Sequence, residues 1–184
     1  MRMNPFYYIS ATIEIVGALI ALTLIISLLL ERSARGRLGR IFLSMLICNG
    51  ACLINDALFW IFVGRPEKYA GAIARVTVFA TYAISYIFLP LFIYYALTLI
   101  RQSRPASYGV AHASAAVCAV AFISLAVSQF NNMYYYFDAQ NRYYRGPFFA
   151  YSQSVFIFFA VAVAIVIFRY RKALGFRNAL CLLS

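Results

Sequence analysis

The sequence predicts an all-α integral membrane protein: a bundle of about five transmembrane helices with a short β-hairpin between the fourth and the fifth. Three observations carry that expectation. The 184 residues are 65% hydrophobic and only 11% charged, whereas soluble domains are roughly half apolar and a quarter charged. Five segments reach the about 20 apolar residues that a spanning helix needs. The 16 Lys and Arg fall in short clusters between those segments, the pattern of loops that face anionic lipid. A net charge of +11 could also suit nucleic acid, but the clustering disfavours it, and the lipid bilayer is the expected partner.

The spans are read in order as one transmembrane domain covering residues 1–184. The first, 8–30, follows a thin basic start at Arg2, is interrupted by Glu14 and is followed by four Arg, so a retained helix fits better than a cleaved signal. The second, 41–63, holds Cys48 and Cys52 one helical turn apart. Such a pair could face a soft metal ion, but small thiols suit packing between helices better. Cys118 and Cys181 also lie in apolar stretches, so no disulfide framework is expected. The third span, 72–99, is about 42 Å long if wholly helical, and Pro90 near its middle is expected to kink it. The fourth, 109–129, is rich in Ala and Ser, which let neighbours approach, and is expected to be the most buried. His112 near its end reads as a packed or interfacial residue. The fifth is 148–168, and a basic stretch then leads to A-L-C-L-L-S. That ending looks like the opening of a sixth span, so the front part of a longer membrane protein is the favoured reading.

Orientation rests on Lys and Arg alone. The loop after the first span, the loop after the third and the tail together carry ten of them; the opposite side carries six. The ten-residue side is expected in the cytoplasm, with the N-terminus outside and the C-terminus inside, in the cell membrane.

Ionisable groups within spans are costly and call for a reason. Glu14 lies about 9 Å below the outer end of the first span, and Asn55 and Asp56 lie at similar depth in the second. Arg75 is about one turn into the third, and Ser152 and Gln153 are about one turn into the fifth. One polar layer drawn from four helices is therefore expected. It reads either as a structural knot of paired charges or as a cavity in which Glu14, Asn55, Asp56, Arg75 and Gln153 meet a ligand.

Residues 131–147, N-N-M-Y-Y-Y-F-D-A-Q-N-R-Y-Y-R-G-P, form the polar connection between the fourth and fifth spans. Residues 133–137 and 142–145 are rich in β-formers, and 138–141 has turn character. Alternation puts Tyr134 and Tyr136 on one face and Tyr135 and Phe137 on the other. The aromatic faces then suit either a headgroup-level belt or a ligand.

Within this segment, Phe137, Asp138, Asn141, Tyr143, Arg145, Gly146 and Pro147 form an aromatic-Asp-x-x-Asn-x-Tyr-x-Arg-Gly-Pro pattern. It resembles the outer loop of multi-spanning N-terminal input modules of bacterial signalling proteins, chiefly membrane diguanylate cyclases and sensor histidine kinases. The likeness extends to the layout of the whole chain but to only about a dozen motif residues, and no catalytic output domain follows in these 184 residues. The resemblance implies a sensor module in signal transduction, working with a signalling output domain, a partner chain or a second copy of itself.

The functional expectation is a sensor or receptor module that binds an unknown small ligand under the hairpin and signals through helix movement. A transporter or channel subunit is the alternative, supported only by Asn49, Thr81 and Ser85 near mid-span. Catalysis is not expected: there is no HExxH pair, nucleophile elbow or acid/base pair, and a single His cannot make a polyhistidine metal site. No cofactor is expected either.

Overall fold

The computed structural model describes residues 5–31, 36–102 and 105–180, with side chains described up to residue 170. Five helices and two strands follow in order: α1 (Pro5–Leu30), α2 (Arg37–Phe62), α3 (Lys68–Arg101), α4 (Gly109–Asn131), β1 (Tyr135–Phe137), β2 (Tyr143–Arg145) and α5 (Phe149–Leu180). All five helices are long and apolar enough to cross a membrane. Each expected span falls within or closely matches one of them. The tail does not turn into a separate helix before residue 180, because α5 runs on through the basic stretch as one 32-residue helix. Residues 181–184 of the expected sixth span lie outside the described residues.

Helix ends follow from local chemistry. α2 ends where Gly64 takes φ 72 and Pro66 follows, a conformation that Gly adopts without steric cost. α4 ends at Asn132, which takes φ 56 and returns its N–H to the Ser128 carbonyl. Asn tolerates this left-handed cap better than most residues. Pro90 lies inside α3, which continues without interruption to Arg101. Proline supplies no N–H there, so the Tyr86 carbonyl loses its ordinary helical donor.

The helices pack in a sequential series, α1 on α2 and α2 on α3, with α3 also touching α4 and α5. This makes α3 the most enclosed helix: 39% of its span is buried, against 28% for α4 and 6% for α1. The expectation that α4 would be most buried is corrected. Its small residues Ala111, Ser114, Cys118 and Ala121 do form a buried face. The opposite face, with Val120, Ile123 and Val127, is open. Helix α1 is apolar on nearly every side, and exposes Ile9, Ile13, Leu19, Ile20 and Leu30, as a helix bathed in hydrocarbon does.

Two apolar cores hold the bundle. One gathers Tyr86, Leu89, Leu125, Tyr134 and Tyr135 near the hairpin; the other gathers Ile93, Leu97, Ile100, Ala162 and Val166 further along α3 and α5. At the end away from the hairpin, Arg37 donates to the Tyr94 hydroxyl. Its guanidinium lies 5.4 Å from the Tyr94 ring and 5.7 Å from the Tyr108 ring. Those two rings stack at 4.8 Å, so cation–π contact ties together α2, α3 and the start of α4.

Candidate functional site

The hairpin is built by its own turn and then fastened to the helices. In the turn, Asp138 Oδ1 accepts the N–H groups of Gln140 at 2.9 Å and Arg142 at 2.8 Å. Asn141 takes φ 57, a left-handed position that Asn tolerates. The strands pair antiparallel with Tyr135 opposite Arg145, Tyr136 opposite Tyr144 and Phe137 opposite Tyr143. Asn141 then docks the hairpin on the α2–α3 connection: its side-chain amide donates to the Arg65 carbonyl at 2.8 Å, and its own carbonyl accepts the Gly64 N–H at 2.9 Å. On the α4 side the Ser128 hydroxyl oxygen accepts the Tyr134 N–H at 2.8 Å.

Alternation in the strands is as expected for Tyr135, Phe137 and Tyr136. Tyr135 is 4% exposed and Tyr136 is 40% exposed. Tyr135 stacks on Tyr82 of α3 at 6.1 Å and on Tyr143 at 5.9 Å. Tyr136 and Tyr144 stack at 5.4 Å on the open face. Tyr134 departs from the expectation and is only 7% exposed. It precedes the strand, where the chain still follows the turn out of α4, so the strand period does not apply to it. Burial pushes the Tyr135 phenol up to about 12 and moves that of Tyr143 upward as well.

Beneath the hairpin lies a cavity of about 810 Å³, walled by α1, α2, α3 and β2. Its acidic groups are Glu14 from α1 and Asp56 from α2. Asp56 Oδ1 accepts a hydrogen bond from the Thr81 hydroxyl at 2.9 Å, which ties α2 to α3 at this level. Tyr7, Phe59, Trp60, Tyr82 and Tyr143 supply aromatic walls, and Arg142 and Arg145 line the hairpin side. The Arg145 guanidinium also lies 4.6 Å from the Phe149 ring. Two other grooves, about 660 Å³ between α3 and α4 and about 530 Å³ between α1 and α2, are lined almost wholly by apolar side chains. In a bilayer, hydrocarbon would satisfy such walls, so the mixed cavity is the candidate site.

The structure brings together only part of the expected polar layer. Glu14 and Asp56 face one cavity. Asn55 instead turns its amide back to the Ala51 carbonyl at 2.8 Å. Arg75 is drawn away from the carboxylates, because its guanidinium lies 5.8 Å from the Phe137 ring. Gln153 donates to the neighbouring Ser152 hydroxyl at 3.3 Å on α5. Helical rotation explains the split, since equal depth does not mean an equal face. Sequence reasoning missed the aromatic walls and did not place Arg142 and Arg145 on the same cavity as Glu14 and Asp56. The available signal was the polar pair Thr81-Tyr82 inside the apolar run of α3, and the rings of Tyr7 and Trp60 at the ends of α1 and α2 that lie nearest the hairpin.

The seven motif residues divide by role. Phe137, Asp138, Asn141 and Tyr143 build and dock the hairpin through the contacts above. Gly146 passes so close to the Met133 carbonyl that a Cβ would overlap it. Pro147 stands just before α5, where its missing N–H leaves nothing unpaired. Of the seven, Tyr143 and Arg145 also line the cavity. Comparison with protein-family models, curated proteins and solved structures finds no match.

Proposed function

We propose that the chain is a membrane-embedded sensor or receptor module of bacterial type. In this reading the hairpin end faces outward, and a small ligand enters the cavity between α1, α2, α3 and β2. The cavity itself carries the proposal, because it is the mixed polar and aromatic site among otherwise apolar grooves. Its walls also suggest how binding is passed on. β2 contributes Tyr143 and Arg145 to the cavity, and after Gly146 and Pro147 the chain enters α5. At 32 residues α5 exceeds the about 20 that a span requires. A ligand that shifts β2 therefore has a rigid lever reaching to the other end of the bundle. The ordered turn and the Asn141 anchor keep the cavity preformed, so ligand energy is spent on the shift and not on ordering a loop.

The test is a small-molecule screen on the purified protein in lipid nanodiscs, read by thermal midpoint, since a ligand that binds only the folded state raises it. A stabilising compound whose effect falls in both Asp56→Asn and Arg142→Ala is the expected result. No stabilising compound, or one whose effect survives both substitutions, removes the cavity as the sensing site. Passage of that compound across proteoliposomes would replace the sensor with a transporter.

A further inference from the structure

Resting on the cavity reading above, we infer that its ligand is a small water-soluble zwitterion that carries an ammonium group. The argument starts from the order of charge along the bundle. Arg142 and Arg145 belong to the hairpin, at the bundle's end. Asp56 lies six residues before the end of α2, about 9 Å inward, and Glu14 nine residues after the start of α1, about 14 Å inward. The cavity is therefore basic at its rim and acidic at its floor. Among the described residues no cationic side chain lines the floor beside these carboxylates: Asp56 is met by the Thr81 hydroxyl, and Arg75 lies instead over Phe137.

Two like charges facing one low-dielectric space are relieved by a cation placed between them. The side walls favour an organic cation over a metal ion. Tyr7, Trp60, Tyr82 and Tyr143 present rings to the same space, and ring faces attract ammonium groups while packing against the carbon attached to them. Among the described residues no group of three or more His, Cys, Asp or Glu is placed to hold a metal ion. At the rim, Arg142 meets the anionic end of a molecule that enters ammonium first. The volume of about 810 Å³ is ample for an amino-acid-sized solute. A zwitterionic phospholipid presents the reverse order, with its ammonium outside its phosphate, so the charge sequence selects a free solute.

Trp60 is the chain's single Trp and lines the cavity, so its fluorescence reports occupancy directly. The experiment titrates the full chain in phosphatidylcholine-free, phosphatidylglycerol nanodiscs with phenylalanine, phenethylamine and 3-phenylpropionate, which share a ring and differ in charge. Phenylalanine and phenethylamine are expected to change the emission, and 3-phenylpropionate is not. Glu14→Gln and Asp56→Asn should each weaken both amines by about tenfold. Arg142→Ala, an exposed hairpin change, should weaken phenylalanine and leave phenethylamine unchanged. Thermal transitions of the variants establish that each is folded, and Arg142→Ala provides a test independent of the two floor carboxylates. Binding of 3-phenylpropionate that survives Asp56→Asn overturns the ammonium assignment while leaving the cavity as a binding site. Silence from all three probes, when a screened non-amine binds and depends on Asp56, has the same meaning. Silence from the probes and from the whole screen overturns both readings. Competition by added phosphatidylethanolamine but not by the free amines overturns the choice of a soluble ligand.

Discussion

The hairpin and its seat on α3 contrast with the seam between α1 and α2. Both pack glycine against a neighbour, but at very different distances. Under the hairpin, a Cβ on Gly71 would overlap Asn141 Oδ1, and one on Gly146 would overlap the Met133 carbonyl. At the seam, a Cβ on Gly17 would stand 3.3 Å from Leu53 Cδ1 and one on Gly50 would stand 3.5 Å from Ala21 Cβ. The hairpin end is thus fitted to within a fraction of an atom and locked by directional hydrogen bonds. The seam is apolar contact, ordinary at Gly50 and tight at Gly17 only against the flexible end of a leucine, and just 6% of the α1 span is buried. The two halves of the cavity wall differ accordingly. Thr81 and Tyr82 stand on the enclosed α3 and Tyr143 on a tightly fitted hairpin that leads straight into α5, while α1 carries Tyr7 and Glu14 on the wall that yields most easily as a ligand enters.

The largest break in this contrast is Gly146→Ala. The added methyl meets backbone, which cannot swing aside as a side chain can, and overpacking of this kind costs about 3 kcal/mol. Thermal unfolding of the variant in nanodiscs is expected to show a clearly lowered midpoint together with loss of the Tyr135–Tyr82 stack, seen as altered near-UV circular dichroism from tyrosine. A midpoint equal to wild type would show that the hairpin is not rigidly seated.

A smaller and graded effect comes from pH. The folded state holds Tyr135 as a neutral phenol, with its ionisation pushed up to about 12 by burial. The unfolded chain ionises near the ordinary value of about 10. Stability from this group is therefore complete below about pH 10 and is lost as pH rises from there through about 12. Tyr143, shifted in the same direction by burial, adds to it. Thermal midpoints measured from pH 9 to 12 should fall, and Tyr135→Phe should flatten the fall. An identical slope in that variant would mean that Tyr135 does not anchor the hairpin in its neutral form.

Much of this contrast was legible from composition and spacing, and the rest was not, for physical reasons. Apolar runs and basic breaks announce α1 to α5 because a bilayer forces about 20 apolar residues per crossing. Asp138, Asn141, Gly146 and Pro147 announce the hairpin because turns impose local demands on single residues. The depth of Glu14 and Asp56 could be counted at 1.5 Å per residue, and both do reach the cavity. Which way a helix is rotated is not local. Arg75 shared the depth but was taken by the Phe137 ring, and Asn55 by its own helix. The enclosure of α3 was hidden for a similar reason: α4 has the smaller side chains, but burial depends on how many neighbours a helix has. Tyr134 was misplaced because the strand begins one residue later than its aromatic run suggests.

The smallest predicted effect bears most directly on which wall yields. Gly50→Ala places a methyl at 3.5 Å from Ala21 Cβ, an ordinary contact distance, and alanine is the better helix former by up to about 1 kcal/mol. The two terms leave the variant as stable as wild type or slightly more so, with a thermal midpoint that differs far less than that of Gly146→Ala. The methyl also adds contact across the α1–α2 interface, where α1 packs most closely. If α1 is the movable wall, Gly50→Ala should slow ligand entry, read by stopped-flow Trp60 fluorescence, without weakening the carboxylate contacts that set affinity. A loss of stability comparable to that of Gly146→Ala would show instead that the seam is as tightly fitted as the hairpin. In that case α1 could not yield first, and the shift on binding would have to begin on the hairpin side of the cavity, where Arg142, Tyr143 and Arg145 stand.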